Sequence, residues 1–312
     1  MKLLVIGSLN MDLVADTSVF PKPGETVFGD SFATVCGGKG GNQAIAAAKL
    51  GADVTMIAGI GNDVFGSALK KNLEECSVKT DGVTEFKGVS SGIATIIVSG
   101  GENRIILNKG SNYSLTPEII DDYKNLIAEC DALLFQFEIP METVIYAASL
   151  GKAMGKKILV NPAPICEIPK DLLNLTDLLI PNEHEAAGIL GYEVNEKNCK
   201  QAANDLLKLG CSEAIITMGG FGSVYANGKE TLHCGIFKTS VADTTAAGDS
   251  FTASFNLARS EGKTPSEALQ MAAVVSGIVV SRKGASTSIP SRNEIDSVIN
   301  SPDFKAPHIT NL

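Results

Sequence analysis

Short apolar runs alternate with helix-like stretches along most of the chain. Leu3–Ile6, ending in Gly7-Ser8, reads as a buried first strand, and the alanine-rich 42–50 as a helix stopped by Gly51. Strands follow at 54–58, 132–136, 157–160, 178–180 and 214–217, each ending near Gly, Asn or Glu. Helical patterns occupy 141–153, 200–209, 251–259 and 265–282. This alternation predicts an α/β fold, a three-layer α/β/α core on a mostly parallel sheet, with ligands beyond the strands' carboxyl ends. Two stretches break the rhythm. Residues 12–36 carry strand-like pieces around Pro21-Lys22-Pro23-Gly24-Glu25, and 90–108 read as a hairpin of 93–98 and 104–108. Together they predict a small β-sheet projecting over the site as a lid, with edges suited to a second subunit.

The length of 312 residues fits one large α/β domain with an appendage, or two domains. A formal net charge of −9 argues against nucleic acid or an anionic membrane as partner. The seven cysteines are scattered and form no C-x-x-C pair, so neither a disulfide framework nor a zinc ribbon is expected. With no leader-like segment in the short apolar start, the expected compartment is the cytoplasm.

The chemistry concentrates in two clusters. In 243–251 the small turn Ala246-Ala247-Gly248 delivers Asp249 where a helix begins. Unpaired N–H groups and the helix dipole make such a start an anion site, and a carboxylate beside it can take a proton. The structural alternative is an ordinary first-turn aspartate. The second cluster, Gly37-Gly38-Lys39-Gly40-Gly41-Asn42, lets backbone wrap closely around a polar ligand, but is not a Walker A loop. No dinucleotide fingerprint follows the first strand, which disfavours a nicotinamide oxidoreductase.

Asn10 and Asp12 follow the first strand as an amide–carboxylate pair suited to neighbouring sugar hydroxyls, or as a plain strand-end turn. Glu138 ends another apolar run. Asn182-Glu183-His184-Glu185 fits either ligands for hydrated Mg²⁺ and phosphate or a helix N-cap with Glu185 at its third position; both can hold. Gly88-Val89-Ser90-Ser91-Gly92 spells a hydrolase elbow, but strand rather than helix follows it. The three histidines show no metal-ligand spacing.

On both clusters, the chain resembles the ribokinase-like (PfkB) carbohydrate kinase family from Lys2 to about residue 298. Supporting matches are Gly7–Asp12, Asn161-Pro162-Ala163-Pro164, Pro181–Glu185 and Arg282–Ala285. The resemblance implies a single domain over 1–312 with lid segments at about 12–36 and 90–108, dimerising through the lid. It implies ATP-dependent phosphorylation of D-ribose at O5, with 2-deoxyribose, fructose or adenosine as rival acceptors. A sugar- or nucleotide-binding regulator without catalysis is the reading from another class. By position, Asp249 would be the base, and the N–H groups of Ala246, Ala247 and Gly248 the anion hole. Asn10, Asp12, Gly38, Lys39, Asn42 and Glu138 would hold ribose. Asn182 and Glu185 would face Mg²⁺ and phosphates. Thr217, Gly220, Gly222, Gly248 and Ala273 would line the nucleotide, and Asp243, Thr245, Val279, Arg282, Gly284 and Ser288 would surround an activating K⁺. Departures from the family pattern are Ala273 in place of a histidine, the pair Gly220-Phe221 in place of a more polar one, and Ser254 in place of a smaller residue.

Overall fold

The computed structural model describes residues 1–312. A first strand, β1 (Lys2–Ile6), leaves the core through Gly7-Ser8-Leu9 into β2 (Asn10–Asp16) and β3 (Ser31–Gly37), and the chain returns as α1 (Lys39–Lys49). Next come β4 (Asp53–Gly61), α2 (Val64–Glu75), β5 (Lys79–Phe86) and the hairpin β6 (Gly92–Ser99) and β7 (Glu102–Asn108). A 3₁₀ turn, Gly110–Ser114, leads to α3 (Pro117–Asp121), α4 (Lys124–Glu129), β8 (Ala132–Phe135), α5 (Met141–Ala153) and β9 (Lys157–Val160). The second half carries α6 (Lys170–Leu175), β10 (Leu178–Leu179), α7 (Glu183–Leu190), α8 (Cys199–Lys208) and β11 (Glu213–Thr217). Last are β12 (Ser223–Ala226), β13 (Thr231–Cys234), α9 (Ala247–Ser260), α10 (Pro265–Val280), α11 (Arg292–Ile299) and β14 (Ile309–Asn311).

Ten strands form one sheet in the order β14-β13-β12-β11-β10-β9-β8-β1-β4-β5. From β11 to β5 all neighbours are parallel; β12, β13 and β14 add an antiparallel edge. Two buried apolar clusters of 42 and 31 residues cover its faces, one under α1, α9 and α10, the other under α5 and α8. The predicted class and layering hold. The expected elements at 132–136, 141–153 and 157–160 match within a residue. Four strands and the helices α2, α3, α4, α6 and α11 have no counterpart in the apolar pattern; the strands are hidden because β5 and β12–β14 are short or carry polar residues on their exposed sides.

The small sheet is β3-β2-β6-β7, with β2 and β6 parallel at its centre. Its hairpin turns through Gly100 and Gly101, at φ 59° and 84°. Two consecutive positive φ values define the tight turn whose twist matches the flanking strands, and glycine is the residue that adopts them freely. The hairpin strands are longer than expected, leaving a two-residue turn instead of five. No helix is long and apolar enough to cross a membrane.

α1 begins three residues earlier than its alanine pattern suggested, so Gly40 and Gly41 lie within its first turn. A Cβ on Gly40 would stand 2.6 Å from Ser8 N and 2.8 Å from Gly7 C, and one on Gly38 2.7 Å from Asn10 N. The glycines therefore bring α1 into backbone contact with the β1–β2 link. Alanine normally stabilises a helix interior relative to glycine by about 1 kcal/mol. At Gly40 the opposite sign is expected: Gly40→Ala lowers the unfolding free energy by roughly 1–3 kcal/mol, because backbone must move. Urea denaturation checks this, and a neutral or stabilising result would contradict the packing.

Candidate active site

The site forms at the carboxyl edge of the parallel strands. Two helices, α1 and α9, point their N-termini at it, and they differ in what their free N–H groups meet. In α1, Lys39 N–H donates to Glu138 Oε2 at 3.1 Å, Gly40 N–H to Ser8 Oγ at 3.3 Å, and Gly41 N–H to the Ser8 carbonyl at 3.0 Å. A carboxylate from the loop after β8 thus caps this helix from outside, where the dipole favours negative charge.

α9 is left open. Its N-cap Ala246 has φ 60° and ψ 6°, a left-handed conformation that costs an L-residue about 1–2 kcal/mol. Ala247 N–H turns back to the Thr244 carbonyl at 3.3 Å, whereas the N–H groups of Ala246, Gly248 and Asp249 have no acceptor. Gly248 is exposed, with nothing within 4 Å of a would-be Cβ. The free set thus differs by one residue from the three N–H groups expected as an anion hole: Asp249 contributes, and Ala247 is partly engaged. Of the two glycine-containing turns, the one at α9 can receive an anion.

Asp249 is buried, at 8% exposure. Asn42 Nδ2 donates to its Oδ2 at 3.2 Å and Gln43 Nε2 to its Oδ1 at 2.9 Å. Gln43 also bonds Asn161 Oδ1 at 2.9 Å, and Gln136 Nε2 donates to Gln43 Oε1 at 2.6 Å. This chain of amides fixes the carboxylate's plane. Asn42 Oδ1 is buried without a partner, an acceptor left for a ligand's hydroxyl.

Beside it, Glu138 Oε2 accepts from Asn10 Nδ2 at 3.2 Å, from Ser8 Oγ and from Lys39 N–H, leaving Oε1 without a protein donor. Asp12 stands against Gly37, whose Cβ would lie 2.3 Å from Asp12 Oδ2. Burial first, then the charges of Glu138 and Asp249, push Asp12 up to about 7. Burial works against the Lys39 ammonium, but Asp249, Glu138 and Glu185 outweigh it and raise its pKa. Lys39 closes no direct ion pair with them.

Asn182 and Glu185 form a complete capping box on α7: Glu185 Oε2 accepts from Asn182 N–H and Asn182 Oδ1 from Glu185 N–H, both at 2.8 Å. The N-cap reading holds, and burial raises the pKa of Glu185. Its other oxygen and the Asn182 NH₂ remain unbonded. Asn182 bridges to Thr217 at the end of β11, which joins this box to the loop Gly219–Phe221. Gly222 follows at φ 103°, and a Cβ there would meet the Cys234 carbonyl at 2.0 Å. Gly220 is exposed; Ala273 is buried on α10 in the apolar cluster that holds Phe251 and Phe255 of α9. No three His, Cys, Asp or Glu side chains converge into a metal cluster.

Behind α9, Asp243 Oδ1 accepts from Thr245 N–H at 2.9 Å and Thr245 Oγ1 at 2.7 Å, and Oδ2 from Gly284 N–H at 3.0 Å. These bonds, with nearby Lys283, outweigh burial and hold Asp243 below the ordinary carboxylate value. Ala242 and Asp243 N–H groups both donate to the Val280 carbonyl. The loop before α9 is thereby fastened to the end of α10, where Val279 lies, and to the segment after it that carries Arg282, Gly284 and Ser288. All six residues expected around a cation come from these two adjoining segments.

Sequence reasoning missed Ser8, Gln43, Asn112 and Gln136. Gln136 is a lone amide inside an otherwise apolar run, a signal available in the sequence. The other three acquire meaning only through contacts with remote segments.

With this geometry in place, comparison with known proteins gives a consistent result. The model of the pfkB family of carbohydrate kinases matches residues 1–292. The chain belongs to that family. A ribokinase from Schizosaccharomyces pombe is 39% identical over 311 residues, covering 96% of this chain and 98% of that protein. A deoxyribokinase from Salmonella typhi is 34% identical over 302 residues, covering 96% and 99%. The structure of Arabidopsis thaliana ribokinase complexed with ribose and ATP superposes with a TM-score of 0.89 at 32% identity, covering 96% of this chain and 98% of that one.

The raised Asp12 carboxyl ties the site to stability. Its folded pKa lies above the unfolded value of 3.8, so the folded state binds the extra proton between 3.8 and about 7. Its contribution is full below that window and is lost as pH rises through about 7. Urea titrations across this range should show wild-type stability falling more steeply with pH than that of Asp12→Asn. Parallel curves would mean that Asp12 does not titrate there.

Proposed function

We propose that the chain transfers the γ-phosphoryl group of ATP to the O5 hydroxyl of D-ribose, giving D-ribose 5-phosphate and ADP. The observation that carries this reading is Asp249: a carboxylate oriented by Asn42 and Gln43, set directly beside the free N–H groups of α9. A sugar alcohol is a poor nucleophile and the transferring phosphoryl group is highly charged. Catalysis therefore needs in-line positioning, proton removal and charge neutralisation. Asp249 takes the O5 proton. The N–H groups of Ala246, Gly248 and Asp249, with the α9 dipole, receive the developing charge, assisted by Ala247 if its turn opens.

The remaining polar groups divide between the two substrates. Asp12, Glu138 Oε1 and the Asn42 carbonyl oxygen accept from sugar hydroxyls, while Asn10 and Lys39 donate; Gly38 brings its backbone against them. On the nucleotide side, Asn182 and Glu185 face the phosphates, and Thr217, Gly220, Gly222, Gly248 and Ala273 flank ATP. Magnesium accompanying ATP would neutralise phosphate charge, with the free Glu185 oxygen to hold it or accept from its waters, while the Asn182 NH₂ donates to a phosphate oxygen. Such a site, with a single free carboxylate oxygen, suits a Mg²⁺ ion that keeps most of its waters. Asp243, Thr245 and Gly284, bonded to one another, with Val279, Arg282 and Ser288 from the segment around Gly284, offer oxygens that suit K⁺, which would add a fixed positive charge behind the α9 turn.

The strands of the small sheet flank Asn10, Asp12 and Gly37, which suits a lid over the sugar within a single 1–312 domain. Its outer face carries Phe32 and Ile106, 66% and 63% exposed, and a second copy of the chain is the partner this face fits. The seven unpaired cysteines accord with the cytoplasm.

A second acceptor is favoured by one observation: the deoxyribokinase covers the chain as fully as the ribokinases do. ADP release with Mg-ATP and K⁺ over D-ribose, 2-deoxyribose, fructose and adenosine separates these readings. Preference for ribose is expected; preference for another acceptor would reassign the pocket, and binding without turnover would favour a regulator. Asp249→Asn is expected to lower kcat at least ~10²-fold with the fold intact, and near wild-type turnover would remove Asp249 from the role of base. Replacing K⁺ by an organic cation in sodium-free buffer is expected to lower both the rate and the Tm; an unchanged Tm and rate would refute the cation site.

A further inference from the structure

We infer that Asn112 positions the amide of Asn10 and through it sets the enzyme's hold on its sugar, an inference that rests on reading this site as a sugar pocket. Asn112 lies in the 3₁₀ turn just after β7, 1% exposed, and Asn10 at the start of β2 is 2% exposed. At that burial neither residue trades its protein partners freely for water, so the bonds each amide makes decide which way it points.

The order of constraint can be followed atom by atom. Leu9, in the link from β1 to β2, donates its N–H to Asn112 Oδ1 at 2.9 Å. That bond decides which end of the Asn112 amide faces Leu9, since a buried N–H requires an acceptor. Asn112 Nδ2 is then directed to two oxygens: the Leu9 carbonyl at 3.1 Å and Asn10 Oδ1 at 2.8 Å. The side-chain amide imitates a peptide group and pairs with the Leu9 backbone as a neighbouring strand would. Both Nδ2 hydrogens are used.

The consequence falls on Asn10. Its Oδ1 is held toward Asn112, so its Nδ2 must face the other way, toward Glu138 Oε2 at 3.2 Å and the site. One Nδ2 hydrogen goes to Glu138; the second has no protein partner and is a donor for a sugar hydroxyl. With the amide turned over, Asn10 would present an oxygen to the Glu138 carboxylate and an acceptor to the sugar. Asn112 therefore fixes Asn10 as a donor.

The same contact joins the small sheet to the pocket. Asn10 pairs with Gly37 on one side and Gly92 on the other. A Cβ on Gly92 would stand 2.2 Å from Asn112 Nδ2 and 2.3 Å from Asn10 Oδ1. The start of β2, the start of β6 and the return from β7 thus meet around one amide pair, and a shift of the sheet is felt at Asn10. The nucleotide side shares none of these atoms.

A double-mutant cycle between Asn112→Ala and Asn10→Ala tests this, run with whichever acceptor the wild-type protein phosphorylates best. Losing the positioning bond is expected to raise the sugar KM ~10-fold or more, with kcat and the KM for ATP within about 2-fold of wild type. In the Asn10→Ala background, Asn112→Ala is expected to add nothing to the sugar KM. An unchanged sugar KM, equal losses in all three constants, or additive effects in the cycle would overturn the proposal and leave Asn112 as a fastening of the turn. Should Asn112→Ala not fold, Asn112→Asp keeps the volume and the acceptor for Leu9 N–H while repelling Asn10 Oδ1, and the same cycle applies. A wild-type protein that prefers an acceptor other than ribose would contradict the ribose assignment alone, since the cycle is read on the preferred sugar.

Discussion

Asp12, Glu138 and Asp249 come from distant parts of the chain, and their negative charges repel one another in a half-buried space. The structure holds them together by placing positive partial charge among them. The N-terminus of α1 meets Glu138, that of α9 meets Asp249, and the Lys39 ammonium lies within range of both. Asp12 has the least compensation, and burial together with the neighbouring charges pushes its carboxyl up to about 7. This balance depends on close approach of α1 to the β1–β2 link, and only glycine at 38 and 40 allows it. Loss of that approach would disperse the carboxylates and the function with them.

The two helix starts carry different duties despite similar sequences of small residues. At α1 the N–H groups are consumed by Glu138 and Ser8, so the glycine cluster is a packing and capping device that presents Lys39, Asn42 and Gln43. At α9 the left-handed Ala246 and the turn bond to Thr244 leave donors without a protein acceptor. Strain in a residue with a Cβ is retained there, beside the proposed base, as expected where backbone geometry serves chemistry. The loops that support α9 are fastened through Asp243 to Gly284. A cation there would act on the geometry of the turn rather than on either substrate.

Much of this was legible in the sequence. The strand ends announced themselves by Gly, Asn or Glu closing an apolar run, and Asp249 and Lys39 stood out because small residues surround them. The layered class followed from alternation alone. What stayed hidden was relational. Gln43 looks like one more polar residue of an alanine-rich helix until Asp249 and Asn161 arrive from elsewhere. Ser8 and Asn112 likewise act through partners remote in the chain. The antiparallel edge β12–β14 escaped because its strands are short, and β5 because charged residues interrupt its pattern. The capping box of Asn182 and Glu185 was foreseen, but not that it would consume one oxygen of each and leave so little for a metal.

A crystal structure with D-ribose and a non-hydrolysable ATP analogue would test the central claim most directly. The account requires O5 within hydrogen-bond distance of Asp249 and the terminal phosphate on the N–H groups at the start of α9. A terminal phosphate seated on the glycine turn of α1, or a sugar bound with O5 turned away from Asp249, would contradict it.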